Sequence, residues 1–497
     1  MTIAGRIGAA ALTLMLATAG AGHASAEKVL MRANDLSFGG KESIDPISPN
    51  RFYEVNDIIY SRLVRQDDDG EPAPELAVSW TPNENATEWT LKLQPGVKFH
   101  DGSDFDAADV KFTLERIKDP ALESPVASVL GMIDHVEVVD PLTAKIVLSS
   151  PHAGLPVLLL DYRVRMLPEG AGPTNDKLGI GTGPFKLESY DPEGRTVLVA
   201  NKDYWEGAPK LDRIEFTAIP DSEARNQAML AGQLDMSSVT RDQQPVYESN
   251  PNFVVQSFPA GDWYGIAFRT DTAPFTDPKV RKAIRVAVNR DEMIKLMVGE
   301  GNAAVTCDVP VKSSDPYHAE ISCPQDIELA KKLLTEAGFP DGIDIEVNTA
   351  DLEPGMVQFA EIYQQQVAKA GIRAKVKLAP SDGYWDDVWM KEPASVTSWS
   401  ERPADQILNE AYRTGSSWNE SYFSNPEFDS ALDKARSSLD FEEAKKAYGD
   451  AQRLLFEVGG TFIPYLQNGS RVMTNKVTGI KPLAEDYIRW HLVDKAE

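Results

Sequence analysis

The stretch KFHDGSDFDAADVKFTLER, residues 98–116, sets one histidine and four aspartates within ten positions. So many titratable groups could make a metal or acid–base site, or they could be scaffold. Periodicity decides. In EWTLKLQPGVKF (88–99), Trp89, Leu91 and Leu93 alternate with Thr90, Lys92 and Gln94. That pattern predicts a half-buried strand, a turn at Pro95-Gly96, and a short strand from Val97 to Phe99. His100-Asp101-Gly102 supplies the next turn. A helix follows, with Asp106 at its N-cap and Asp109 three residues on, where carboxylates meet free N–H groups and the positive end of the helix dipole. Phe105 and Val110 make a hydrophobic staple across the cap, and Val110, Leu114 and Ile117 continue as an apolar stripe. A calcium loop needs Asp or Asn at alternating positions, a central Gly and a closing Glu in register, and that register is absent. The aspartates therefore punctuate a strand–turn–helix unit.

The chain has 497 residues, 42% hydrophobic and 25% charged, enough for about two to four domains. Its first 26 residues form a separate object. Arg6 precedes an uncharged run from Ile7 to Gly22, and Ala24-Ser25-Ala26 closes it with a small-x-small pattern. This reads as a secretory signal peptide cut after Ala26. Without Arg6 the mature chain carries 49 Lys+Arg against 76 Asp+Glu, a net charge of −27. Such acidity argues against nucleic acid, whose phosphates need a basic face. Two cysteines, Cys307 and Cys323, lie in the exported part. In an oxidising compartment they are expected to pair.

Beyond 98–116, further blocks appear in order: YSRLVRQDDDGEPAPELAVSW (60–80), GTGPFKLESYD (181–191), NKDYWEGAPKLDRIEF (201–216), DPKVRKAIRVAVNRDEMIKLMVGEG (277–301), AKKLLTEAGFPDG (330–342) and AQRLLFEVGGTFIPY (451–465). Together with VKFHDGSDFDAADVKFTLERI (97–117), they resemble the large periplasmic substrate-binding proteins that serve peptide, nickel and opine ABC importers, the bacterial extracellular solute-binding proteins of family 5. The resemblance covers nearly all of the mature chain.

The residues give a compatible layout. FKLESY and RIEFTAI alternate as sheet strands. Asp277 caps a helix with Pro278 at its first position and a stripe through Val280, Ile284 and Val288. IELAKKLLTEA ends at Gly338. Met356, Phe359, Tyr363 and Val367 mark another helix, stopped by Gly371 before a strand at 372–378. Helix–strand alternation implies an α/β class. The resemblance adds the architecture: two lobes of the type II periplasmic-binding kind, an extra subdomain in the first lobe, and a ligand cleft between lobes that close on a hinge. It implies lobe I from 27–55, 180–262 and 470–497, the accessory subdomain from 56–179, and lobe II from 263–469.

Enzyme signatures are scarce. There is no G-x-S-x-G, H-E-x-x-H, G-x-x-x-x-G-K-[ST] or paired C-x-x-C, and nothing singles out a catalytic pair among the acids. No metal or other cofactor is expected. The candidate ligand contacts are aromatic and basic. Trp263-Tyr264 sits where the chain should cross between lobes, and Trp385 lies in SDGYWDDVW; each also fits an ordinary core position. For Trp399, in VTSWSERPADQIL, the resemblance implies the cleft wall, and it implies a place near the ligand for Gly183 of the Gly-Pro-Phe turn. Dipeptide-binding members carry an aspartate three residues after this tryptophan and an arginine before the helix containing Ala360-Glu361. Here those positions hold Arg402 and Ala350, so both halves of the dipeptide clamp are missing. A guanidinium suits a carboxylate or phosphate, so Arg402 points to an anionic ligand group unless Glu401 or Asp405 pairs with it. Arg163 and Arg165, in LLLDYRVRML, would share one face of a strand and could reach the cleft or form a solvated face.

The expected function is capture of a peptide or peptide-like solute in the periplasm and its delivery, without chemistry, to the permease subunits of an ABC importer in the inner membrane. A monomer is expected. The alternatives are an opine, sugar-phosphate conjugate or other anion as ligand, or, in another class, a secreted hydrolase.

Overall fold

Residues 88–117 form a strand, a turn and a helix. The strand Glu88–Leu93 buries Trp89, Leu91 and Leu93. The helix Ala107–Ile117 starts at Asp106, whose side chain accepts from Ala108 N at 2.7 Å, while Asp109 Oδ2 accepts from Asp106 N at 2.9 Å. This reciprocal cap satisfies two otherwise unpaired helix-start donors. Val110, Leu114 and Ile117 are buried, each stabilising the unit by about 1.5–3 kcal/mol. One expectation fails. Val97–Phe99 is not a strand; Lys98 makes an isolated bridge to Asp104, because the backbone here pairs with the adjoining residues 103–105, Phe99 N donating to Ser103 O and Phe105 N to Val97 O.

The structure, a computed structural model, describes residues 27–34, 42–48, 50–68, 71–122, 124, 126–127, 129–172, 177–240, 243–259, 261–352, 355–380, 384–481 and 488–496. The signal peptide read at residues 1–26 lies outside them. Among the described residues no helix is long and apolar enough to cross a membrane.

Three sheets organise the chain. The first is antiparallel, in the order Ala77–Pro82, Glu88–Leu93, Thr143–Leu148, Ile133–Asp140. The second has eight strands and draws on distant parts of the chain. Val29–Asn34 pairs in parallel with Arg213–Ala218, and Tyr465–Thr474 pairs with Phe253–Pro259. The third has five strands, ordered Ile372–Leu378, Ile343–Thr349, Ala394–Trp399, Trp263–Phe268, Thr461–Phe462. The chain leaves the second sheet for the third just before Trp263 and returns to it at 463–464; between these, the short strand Ala303–Val305 also rejoins the second sheet by pairing with Tyr465–Thr474. The first crossing is hydrogen-bonded to the strand that follows the second: Gly261 N donates to Gln467 O at 2.9 Å and Gln467 N to Asp262 O at 2.8 Å.

The cores follow the sheets, with one exception. The apolar core of the four-stranded sheet continues through Leu155–Leu160 to Ile407, Leu408, Phe428, Leu432 and Tyr448 of the helices Ala404–Ala411, Pro426–Ser437 and Phe441–Val458. Asp405 fastens this junction. It accepts from Arg436 at 2.7 and 2.9 Å and from the Tyr448 hydroxyl at 2.6 Å, and lies 3.3 Å from His152 Nε2. Burial works against its charge, but Arg436 and His152 outweigh burial and hold the carboxyl well below its usual range.

Cys307 and Cys323 form a disulfide, with Cα atoms 5.6 Å apart. It closes a loop of the size for which restriction of the unfolded chain is worth about 3 kcal/mol.

The segment carrying Arg163 and Arg165 is not a strand. Both arginines are buried, at 3% and 1% exposure. Arg163 makes a two-point contact with Asp161, at 2.8 and 2.5 Å, and Arg165 pairs with Asp57. Neither forms a solvated face, because buried guanidinium groups need carboxylate partners.

Candidate ligand-binding site

The two chain crossings open directly onto a cavity of about 610 Å³. Its position follows from strand register. Trp263 begins its strand just after the first crossing and pairs with Trp399, the last residue of the antiparallel strand Ala394–Trp399. Directly opposite side chains project to the same face of a sheet. Their indoles stack with centroids 6.1 Å apart and planes 8° from parallel. Trp418 meets Trp399 edge-on at 5.5 Å and 68°, and Trp385 meets Trp389 at 5.9 Å and 83°. All five tryptophans line the cavity, with Tyr264. Trp263 and Trp399 are buried, whereas Trp385 and Trp418 remain 39% and 44% exposed. Large exposed indoles leave apolar area to be covered.

The polar groups of the lining include Asp262, from the first crossing, Gln467, from the strand that follows the second, and Arg402. Arg402 is the cation of this lining. Its Nη1 donates to the carbonyls of Ser400 at 3.2 Å and Glu401 at 2.9 Å. Its Nε lies 3.9 Å from Glu410, is buried, and makes no hydrogen bond. The two carboxylates that sequence offered as partners are engaged elsewhere: Glu401 with Lys312 at 3.1 Å and Asp405 with Arg436 and His152. Arg402 thus has Glu410 as its ion-pair partner and keeps an Nε without a hydrogen bond.

Glu420 stands behind the indole wall. It is buried, and its Oε2 accepts from Trp389 Nε1 at 2.6 Å, Thr397 Oγ1 at 2.8 Å and Trp399 Nε1 at 3.3 Å. Burial raises its pKa, against those three hydrogen bonds. One carboxylate therefore fixes two of the five indoles.

Of the residues singled out in the sequence, Trp263, Tyr264, Trp385, Trp399 and Arg402 meet in this lining; Gly183, Arg163 and Arg165 do not belong to it. A Cβ on Gly183 would come within 2.3 Å of the Ile58 carbonyl oxygen, so its glycine is needed for close packing on the end of the helix Tyr53–Ile59. His100 of the opening stretch holds the same turn. Its Nδ1 accepts from Gly181 N at 3.2 Å, which makes Nε2 the donor to Gly183 O at 3.0 Å. Burial pushes its pKa down to about 4, so the ring is neutral at ordinary pH. Among the described residues no group of three or more His, Cys, Asp or Glu is placed to hold a metal ion. Sequence reading missed Trp389, Trp418, Glu420, Asp262 and Gln467. The four-residue spacing of Trp385 and Trp389 was a usable signal; the others are assembled by tertiary structure alone.

A second cavity, of about 460 Å³, shares Trp418 and lies beside the Asp405 junction, lined in part by Leu158, Glu410, Arg413 and Arg436.

The family model of the bacterial extracellular solute-binding proteins, family 5 (middle), matches residues 71–419. The chain is 29% identical over 437 residues to the glutathione-binding protein GsiB of Pectobacterium atrosepticum, covering 82% of this chain and 84% of that one. Among solved structures, HbpA2 of Haemophilus parasuis superposes with a TM-score of 0.83 at 22% identity, over 95% of this chain and all of that one. The periplasmic binding protein DppA of Helicobacter pylori, in complex with the peptide STSA, gives a TM-score of 0.72 at 24% identity, over 95% and 98%. These structures share the two-lobed α/β fold.

Proposed function

We propose that this chain, which belongs to the bacterial extracellular solute-binding proteins of family 5, captures a peptide or peptide-like solute in the indole-lined cavity and delivers it to the permease of an ABC importer. The carrying observation is the cavity itself: five tryptophans and one arginine, placed where the chain crosses between its two largest sheets. Indole faces supply apolar contact area, while Arg402 supplies a two-point anion contact. The ligand therefore presents an anionic group to Arg402. The relatives named for glutathione favour a small anionic peptide. Capture without chemistry accords with the family's description.

The family resemblance supports the division of labour. Lobe I comprises 27–55, 180–262 and 470–497, with the accessory subdomain 56–179, and lobe II comprises 263–469. Closure about the crossings traps the solute and shifts a pre-existing equilibrium by differential affinity. The protein acts as a monomer in the periplasm, after cleavage at Ala26. Mass spectrometry of the exported protein under native conditions tests this reading. A co-purifying peptide, released on denaturation and rebinding with one-to-one stoichiometry, is expected. An opine or sugar-phosphate conjugate would correct the ligand class; turnover of the solute would overturn the binding role.

A further inference from the structure

Glu420 sharpens what the cavity admits. Its three hydrogen-bond donors, two indole N–H groups and one hydroxyl, are all neutral. Its Oε1 is buried with no hydrogen-bond partner, and no lysine, arginine or histidine pairs with it among the described residues. Taking a carboxylate out of water is costly unless a cation accompanies it. Several buried carboxylates of this chain follow that rule: Asp161 faces Arg163, Asp308 faces Arg285 and Arg290, and Asp405 faces Arg436. The groups packed around Glu420 are instead aromatic, including the hydroxyl-bearing rings of Tyr384 and Tyr412.

The indoles are the second observation. An indole face is electron-rich and attracts cations, most strongly when the cation is poorly hydrated. A carboxylate accepting the N–H of Trp389 and of Trp399 adds negative potential to that wall. The rings also do not form a simple slot. Trp418 stands at 68° to Trp399, and Trp385 at 83° to Trp389. Each inclined pair is in direct edge-to-face contact, so the cavity is bounded by indole faces of more than one orientation, Trp263 and Trp399 being the parallel pair.

We propose that the indole wall, with Glu420 behind it, receives an alkylammonium group of the solute while Arg402 receives its carboxylate. The ligand is then a zwitterion whose positive end is recognised by aromatic faces and a buried charge. This deepens the proposed function and rests on it.

The test uses glycine betaine and its carbon isostere 3,3-dimethylbutanoate, which share shape and carboxylate and differ by one positive charge. Tryptophan fluorescence of the mature full-length protein follows the titrations. Betaine should bind at least about 10-fold tighter than the isostere. Glu420→Gln keeps an acceptor for both indoles and removes the charge; it should reduce that preference to about 3-fold or less. Trp418→Ala removes an exposed indole, so the fold survives, and it should weaken betaine more than the isostere. Equal binding of the two probes, no response to either, or an undiminished preference in both variants would overturn the proposal. Retention of a co-purifying solute in that case leaves the proposed function standing, whereas its loss would remove that reading separately.

Discussion

Two regions of this molecule are dense in functional-looking side chains, and they use them in opposite ways. In residues 98–116, the titratable groups are turned to scaffold: Asp106 and Asp109 close a helix start, Asp101 closes a turn on Ser103, His100 pins the turn at Gly181–Gly183, and Arg116 pairs with Asp45. In the tryptophan cavity, side chains are left incompletely used: Arg402 keeps an Nε without a hydrogen bond and Trp385 and Trp418 retain exposed faces. Density of reactive residue types is thus a poor guide to a site. Unspent bonding capacity, gathered from distant parts of the chain, is a better one.

Substitutions in each region should separate the two roles. Trp399→Ala has the largest expected effect. It removes an indole packed between Trp263 and Trp418 and a donor to Glu420, so it should cost about 3 kcal/mol or more in urea unfolding and abolish measurable solute binding. A variant that binds normally would break the contrast between the regions.

Acidification probes the scaffold side. His100 titrates near pH 4 in the fold and near 6.5 when unfolded. Its folded pKa is depressed, so its contribution is complete above pH 6.5 and is lost as pH falls towards 4. The loss approaches about 3 kcal/mol. Unfolding free energies of the parent and of His100→Gln, compared over that window, should converge as pH falls; parallel curves would refute the neutral-histidine anchor. Smallest is Asp106→Ala, which should cost about 1 kcal/mol through the lost cap and leave solute affinity within about twofold. A collapse in affinity with the fold intact would make the aspartate cluster a site after all.

Legibility followed the range of the interactions. The cap at Asp106, the helices ending at Gly338 and Gly371, and the strand at 372–378 are set by neighbours in sequence, and each was readable. Trp399 was legible through its block's resemblance to the family. Glu420 and Trp418 were not, because their roles arise from a strand pairing that brings residue 263 against 399. Arg163 and Arg165 misled for a related reason. Alternation suggested a strand, but the segment has no strand neighbour, and two buried carboxylates hold the arginines in place. Gly183 carries a steric requirement against Ile58, which a glycine in a motif cannot distinguish from a ligand contact.

On the proposed function, Arg402 contacts the ligand and the aspartate stretch does not. Calorimetry with the co-purifying solute, run side by side on the parent, Arg402→Ala and Arg402→Lys, tests it most directly. A charge-assisted hydrogen bond is worth roughly 1.5–3 kcal/mol, so Arg402→Ala should weaken binding by about one to two orders of magnitude. Arg402→Lys should restore part of that loss, because an ammonium cannot make the planar two-point contact. If Arg402→Ala binds as tightly as the parent, Arg402 serves only its intramolecular partners, the Ser400 and Glu401 carbonyls and Glu410, and the anionic-ligand reading is wrong.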